Sequence, residues 1–311
     1  MELKIGFLYP GQGSQYVGMM QDWYETFPRA AEILDQAGEI LGFPLKDICF
    51  EGPEEKLKQT YITQPAIFVH SYIVTEFLAE RHLHPNVVAG HSLGEYSALV
   101  AAGVLDFADA LRLVKLRGEA MQEAGEANPG TMAAIIGLEA EQVKQLCEQA
   151  SVKGVVQPAN FNSPEQIVIS GSVEGVHVAM ELAREQGAKR VVELVVGGAF
   201  HSPLMEPARE KLKAALDETP FRDARIPVLT NVNAQPETRG GALKELLELQ
   251  LIRPVRWVEI ISGMLDDGVN AFYEVGPGKV LTGLVRRISR DVRPTPIDKV
   301  AELDKAVTPQ T

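Results

Sequence analysis

The segment Val87-Val88-Ala89 runs directly into Gly90-His91-Ser92-Leu93-Gly94 and then into an alanine-rich stretch that reaches Ala102. Few conformations satisfy that order. An apolar strand-like run that turns helical within five residues must bend sharply, and glycine tolerates the positive φ and close backbone approach of such a bend. The pattern is G-x-S-x-G, which sets a serine at the strand-to-helix corner with its hydroxyl presented at the helix N-terminus. A plainer reading is a helix capped by serine, whose oxygen accepts an orphan backbone N–H. The strand before and the helix after favour Ser92 as a nucleophile.

The rest of the chain alternates in a similar way. Leu3 to Tyr9 reads as a buried strand stopped by Pro10-Gly11-Gln12-Gly13-Ser14. Ile33, Leu34, Ala37, Ile40 and Leu41 recur at helical spacing before Gly42 and Pro44, and a further helix follows Thr63-Gln64-Pro65. Between residues 128 and 196 the pattern changes. Thr131 to Ile136 reads as strand and Glu139 to Ala150 as helix. Val155 to Ala159 and Gln166 to Ser170 read as strands around the turn-rich Asn160-Phe161-Asn162-Ser163-Pro164. Ser172 to Gln186 is then helical and Arg190 to Val195 extended. That β-α-β-β-α-β order is the split β-α-β arrangement of a ferredoxin-like unit.

Helices over Leu204 to Leu216, Ala242 to Leu249, Trp257 to Leu265 and Val280 to Ile288, with strands at Val228 to Thr230 and Ala271 to Val275, resume an α/β alternation. Such alternation predicts a mainly parallel sheet covered by helices on both faces. The expected architecture is α/β: a large domain at 1–127 and 197–311, interrupted by a small ferredoxin-like domain at 128–196. From Pro294 onward proline and charge dominate, and a loosely held tail is expected.

A chain of 311 residues can bury a core of that size. Acidic residues outnumber basic ones, 42 to 30, so the formal charge is −12 and the surface as a whole repels polyphosphate. Nucleic acid is therefore not an expected partner. Cys49 and Cys147 stand far apart and in no C-x-x-C arrangement, which points to reduced thiols and a cytoplasmic protein rather than a zinc ribbon or disulfide frame. The apolar run Ile5 to Tyr9 is too short for a signal-peptide core, and no apolar stretch nears the ~18 to 20 residues that span a bilayer. No membrane association is expected.

A serine nucleophile needs a base, and the chain has six histidines. His82 and His84 fall in a polar stretch, His70 and His177 inside helices, and His91 in the elbow. His201 stands in Gly197-Gly198-Ala199-Phe200-His201-Ser202-Pro203, a strand-to-helix connection of the kind that carries reactive residues. It is the candidate base. No histidine follows it, whereas an ordinary α/β-hydrolase places its acid and then its histidine late in the chain. Either something other than a late acid orients the imidazole, or this is another class of serine acyltransferase. Gly11-Gln12-Gly13-Ser14 lacks the G-K-[ST] ending of a phosphate loop. It is a simple tight turn, or it offers one backbone N–H toward the serine while Leu93 offers another, the two halves of an oxyanion hole.

Six segments, in order over nearly the whole chain, carry a resemblance: Pro10-Gly11-Gln12-Gly13-Ser14-Gln15, Gly90-His91-Ser92-Leu93-Gly94-Glu95, Leu116-Arg117-Gly118, Ala159-Asn160-Phe161-Asn162-Ser163-Pro164, Gly198-Ala199-Phe200-His201-Ser202 and Glu274-Val275-Gly276-Pro277-Gly278. Together they resemble the malonyl-CoA:acyl carrier protein transacylase family of fatty acid synthesis. The resemblance implies an α/β-hydrolase-like large domain with a ferredoxin-like small one, a coenzyme A thioester as substrate, acyl carrier protein as partner, and no metal or redox cofactor. It implies that Ser92 is acylated, that His201 is general base and acid, and that the amides of Gln12 and Leu93 hold the oxyanion. Gln250 matches the position whose main-chain carbonyl orients the histidine; by itself it reads as a polar helix-end residue.

Arg117 would hold the free carboxylate of the malonyl group, a task that suits the guanidinium fork. By its helix alone, shared with Arg112 and Lys115, it reads instead as a solvated arginine. The resemblance gives Phe200 the exclusion of a branching methyl and places Asn160 and Asn162 at the substrate. A monomer is expected. Acyl carrier proteins are acidic and so is this chain, so docking calls for a local basic patch, with Lys189, Arg190, Arg286, Arg287 and Arg290 as candidates. A serine thioesterase or esterase, and a trans-acting polyketide acyltransferase, are the rival readings. A non-catalytic carrier-binding module is disfavoured by the presence of both Ser92 and His201.

Overall fold

Short, fully buried apolar runs form the strands of the larger sheet. The computed structural model describes residues 3–307, with β1 (Ile5–Tyr9), β2 (Val87–Gly90), β3 (Gly130–Ile136), β4 (Val156–Ser163), β5 (Gln166–Ser172), β6 (Arg190–Leu194), β7 (Val228–Leu229), β8 (Pro236–Glu237), β9 (Ala271–Val275) and β10 (Thr295–Ile297). One sheet has the order β10-β9-β1-β2-β7-β8 and is parallel except at β8. Every residue of β1 and β2 is buried, as befits strands covered on both faces. Along β1, Ile5, Phe7 and Tyr9 share one core cluster with Phe68 and Leu111, while Leu8 joins Trp257, Ile260 and Leu284 in another. Helices thus cover both sides. The parallel strands end at Tyr9, Gly90, Leu229 and Val275, and ligand sites of open α/β sheets form outside that carboxyl edge.

The second sheet is antiparallel, in the order β4-β5-β3-β6, and its connections follow the ferredoxin-like pattern. Its two chain crossings touch. Gly125, near the end of the helix Phe107–Ala127, lies so close to Gly197 that a Cβ on it would stand 2.0 Å from the Gly197 carbonyl oxygen. The edge strand β4 is also stitched to the larger unit. Val255 N–H donates to the Ala159 carbonyl at 2.8 Å, and Phe161 N–H donates to the Val255 carbonyl at 2.9 Å.

Three local expectations need correcting. The helix Thr60–Glu80 starts ahead of Pro65 instead of behind it. A proline in the second turn forfeits one N–H bond, and burial of Ile62, Ala66, Ile67, Phe68 and Val69 outweighs that loss. Asn160 to Ser163 is strand, not turn: β4 pairs with β5 through two register shifts and with Val255 on its other edge, and pairing on both edges overrides the turn preference of asparagine. The tail is not loose up to Val307. Thr295–Ile297 adds an edge strand, where Pro296 is tolerated, and Val300–Val307 is helical with Leu303 buried. Trp23 Nε1 fixes the Asp298 carbonyl at 2.7 Å. Among the described residues, no helix is long and apolar enough to cross a membrane.

Candidate active site

Strand β2 ends at Gly90 and the helix Gly94–Ala101 begins four residues on. Ser92 holds the corner at φ 51°, a left-handed conformation that costs a residue with a side chain roughly 1 to 2 kcal/mol. Closeness explains the second glycine: a Cβ on Gly94 would stand 2.0 Å from the Tyr9 carbonyl oxygen, so β1 and the elbow can meet only around a residue without one. Asn231, just past the end of β7, braces the turn. Its Oδ1 accepts the Ser92 N–H at 2.7 Å, and its Nδ2 donates to the Gly90 carbonyl at 2.6 Å.

His201 also has a positive φ, 57°, and is buried. Its Nε2 lies 2.8 Å from Ser92 Oγ, and its Nδ1 lies 2.7 Å from the main-chain oxygen of Gln250. Gln250 caps the end of the helix Gly240–Leu249, where carbonyls lack intrahelical partners and are free to accept. A carbonyl thus stands where a hydrolase would use a carboxylate. Burial first, and then the positive charge of Arg117, pull the His201 pKa down to about 3. The ring is therefore neutral, with Nδ1–H donating to Gln250 and an Nε2 lone pair facing the serine hydroxyl. Gln157 Nε2 on β4 pins the His201 carbonyl at 2.8 Å.

Arg117 belongs to the buried face of the helix Phe107–Ala127, with Val114, Gly118 and Met121, and is 1% exposed. The solvated reading is overturned, because the helix Thr60–Glu80 packs against that face and supplies a partner. Arg117 Nη1 donates to Gln64 Oε1 at 2.7 Å, and Nη2 donates to Gln250 Oε1 at 2.9 Å and to Ser92 Oγ at 3.1 Å. Its Nε is buried without a hydrogen-bond partner, and no carboxylate among the described residues lies within ion-pairing distance. Burial lowers its pKa from the usual arginine value. A buried guanidinium with an orphan donor is suited to an anion.

These groups face a cavity of about 220 Å³ that Gln12, Leu93, Asn160, Asn162 and Phe200 also line. His91 Nε2 donates to Asn162 Oδ1 at 2.8 Å, so that asparagine is held by the elbow itself. Met132, Ala134, Val168, Leu194 and Val196 make the opposite wall. The basic candidates lie outside it. Arg287 Nη1 donates at 2.7 Å to Gln166 Oε1, and Gln166 lines the cavity; Lys189 pairs with Glu165 at 3.4 Å. Ile136 stands in register with both Gln166 and Arg190, so Lys189, Arg190 and Arg287 gather at one end of the antiparallel sheet. Arg286 and Arg290 are exposed at the end of the helix Val280–Ile288 and just past it.

Of the other histidines, His70 is buried with Nε2 2.9 Å from the Asp298 carbonyl, and His177 pairs with Glu193. Both cysteines are free and buried, and burial pushes the Cys147 thiol up to about 12. Among the described residues no group of three or more His, Cys, Asp or Glu is arranged to hold a metal ion. The sequence reading assigns no role to Gln64, Glu95 or Asn231. Each was open to notice as a polar residue in an apolar setting: Gln64 in a helix buried nearly all round, Glu95 in the first turn of an apolar one, Asn231 at the carboxyl edge of the parallel sheet.

Residues 6–306 match the acyl transferase domain family. The chain is 48% identical over 305 residues to malonyl CoA-acyl carrier protein transacylase of Bacillus subtilis (strain 168), covering 98% of this chain and 96% of the relative. It is 45% identical over 286 residues to the protein of the same name from Escherichia coli (strain K12), covering 92% and 93%. Among solved structures, an acyl carrier protein S-malonyltransferase from Vibrio cholerae superposes with a TM-score of 0.94 at 44% identity, over 97% of this chain and 99% of that one. A malonyl-transacylase in complex with a type II PKS acyl-carrier protein superposes with a TM-score of 0.95 at 40% identity, over 98% and 99%.

Proposed function

The chain belongs to the malonyl CoA-acyl carrier protein transacylase family, and from that premise we propose that it moves a malonyl group from coenzyme A to the pantetheine thiol of acyl carrier protein through an ester on Ser92, supplying fatty acid synthesis. The observation that carries this reading is Arg117: a buried cation with an unpartnered Nε, one hydrogen bond from the nucleophile. A site for neutral acyl chains has no use for it, and a free carboxylate fits it with two parallel bonds.

In the proposed reaction Ser92 Oγ attacks the thioester carbonyl carbon as its proton passes to His201 Nε2. The amides of Gln12 and Leu93, both at the cavity, receive the oxyanion. Collapse breaks the carbon–sulfur bond, and His201 returns the proton to the coenzyme A sulfur, leaving malonyl-Ser92 and a free thiol. In the second half the pantetheine thiol gives its proton to His201, attacks the ester and expels the serine oxygen, which takes that proton back. A thioester enters and a thioester leaves, so the equilibrium lies near unity. The Gln250 carbonyl steadies the imidazolium without supplying a second charge. No metal or redox group takes part in a step so written.

Phe200 and the apolar wall set acyl size, and Asn160 and Asn162 line the acyl site. We take 128–196 as the small domain and the rest as the catalytic one, Lys189, Arg190, Arg286 and Arg287 as the docking patch, and the cytoplasm as the location. We take the catalyst as a monomer. The test is to incubate the protein with malonyl-CoA, look for the ester by intact mass, and follow its transfer to acyl carrier protein. A protein that releases malonate to water in place of that transfer is a thioesterase.

A further inference from the structure

Gln250 is engaged at both ends, and the residue behind it has no place in the chemistry above. Its carbonyl accepts from His201, while its side-chain amide spans two charges. Oε1 accepts from Arg117 Nη2 at 2.9 Å; Nε2 donates to Glu95 Oε2 at 2.7 Å and to the Ser92 carbonyl at 2.9 Å. The same Glu95 oxygen accepts the Asn231 N–H at 3.2 Å, and Asn231 in turn holds the Ser92 N–H. Glu95 is 1% exposed. Gln250 and Asn231 each bond the Glu95 carboxylate directly, and Ser92, His201 and Arg117 each lie two hydrogen bonds from it.

We infer that Glu95 is a positioning residue: through the Gln250 amide it acts as the resident counter-charge of Arg117, and so sets how strongly the site holds an acyl group that ends in a carboxylate. This rests on Arg117 being the carboxylate clamp. An amide can face either way, but an ionised carboxylate only accepts and a guanidinium only donates, so Glu95 and Arg117 together turn Nε2 toward the one and Oε1 toward the other. Arg117 then has its positive charge partly balanced before substrate arrives. In a dry pocket that balance counts, because charges are poorly screened there. An incoming malonyl carboxylate meets a guanidinium that Glu95 already holds in part.

Glu95 can shed this role. Burial pushes its pKa up to about 7, against the opposing pull of Gln250, Asn231 and Arg117. The other titratable groups nearby do not change state with it. Tyr96 on the same helix is raised by burial beyond the neutral range, while His201 is held near 3 and His91 is lowered by burial. Below about 7 Glu95 is neutral and Arg117 is uncompensated; above it Glu95 is ionised and competes. The KM for malonyl-CoA therefore rises with pH. Acetyl-CoA, with the same coenzyme A phosphates and no acyl carboxylate, shows no such rise.

The experiment measures KM and kcat for both thioesters, with acyl carrier protein as acceptor, at about pH 6 and about pH 8. In the wild type the malonyl-to-acetyl KM ratio is expected to rise roughly five- to tenfold between those values. Glu95→Gln keeps an oxygen for Gln250 and Asn231 but no charge, so it should flatten that rise and bring the malonyl KM at the higher pH down to the wild-type value at the lower. An unchanged slope in Glu95→Gln, or a kcat loss shared by both substrates with the KM ratio unmoved, marks Glu95 as structural and overturns the inference. Should Glu95→Gln fail to fold, the wild type decides alone, since a flat malonyl-to-acetyl ratio also overturns it. A wild type that forms no malonyl-Ser92 overturns the proposed function instead, a separate result.

Discussion

The two walls of the catalytic cavity are built from different materials. On the parallel-sheet side, Ser92, His201, Arg117, Gln250, Glu95 and Asn231 each make at least two hydrogen bonds to one another or to the main chain. On the antiparallel-sheet side, Met132, Ala134, Val168, Leu194 and Val196 offer apolar side chains held by packing, beside the polar Asn160 and Asn162. Directional bonds fix atoms to fractions of an ångström, which proton transfer needs, whereas packed apolar groups can yield by a rotamer. Damage to the first wall should stop the reaction or invert its charge preference. Damage to the second should only regrade substrates.

The largest break is at the nucleophile. Ser92→Ala should form no acyl-enzyme by intact mass, and His201→Ala should slow acylation by roughly 10⁴-fold or more with the melting temperature little changed. Malonyl retained on Ser92→Ala would falsify the nucleophile. Next comes Arg117→Ala, which strips a buried carboxylate of its partner at about 2 to 5 kcal/mol and should depress malonyl transfer while acetyl transfer holds or improves. Arg117→Lys should restore little, since a point charge lacks the fork. A parallel loss of both transfers would make Arg117 a packing residue.

The same wall predicts an acid profile. With His201 held near 3, acylation from acetyl-CoA should stay level as pH falls from about 8 to about 5, where an ordinary histidine would already be protonated. A midpoint near 6.5 in that rate would show that the ring is solvated.

Smaller effects probe the apolar lining, which is the second wall together with Phe200. Phe200→Ser should narrow the preference for malonyl over methylmalonyl by ~1 to 3 kcal/mol, read from competing kcat/KM values. Equal use of both thioesters by the wild type would deny that Phe200 filters size. Smallest is the rim. Charge reversal at Arg190 and Arg287 should raise the KM for carrier protein severalfold, with acylation from malonyl-CoA changing less and the difference shrinking in salt. A carrier-protein KM that does not move would reject the patch.

What the sequence discloses follows how local each feature is. The elbow is legible because strand, glycine and helix adjoin within a few residues. His201 is legible because few histidines compete with it. Arg117 is not, since Arg112 on the same helix is exposed and Lys115 half-buried, and it is packing of other helices, Thr60–Glu80 among them, that decides which face is covered. The Gln250 carbonyl has no signature, because every residue has one and position alone makes it useful. Asn160 and Asn162 read as turn because the strand they join is completed by Val255, far along the chain. The ordered tail escapes notice for a like reason: Trp23 and the β9 edge hold it, and neither is near it in sequence.

The neck at Gly125 and Gly197 bears on how such catalysts can diversify. The antiparallel unit leaves and rejoins the chain at one spot, between the helix that carries Arg117 and the loop that carries His201. Two splices there would exchange it whole without cutting a strand of the parallel sheet. The transplanted cassette would bring its apolar wall together with Asn160, Asn162 and the Gln157 that pins the His201 carbonyl, but neither the nucleophile nor the base itself. In a lineage or a library, acceptance of new acyl shapes could thus be inherited as a block, so long as the graft keeps the Gln157 bond to the histidine loop.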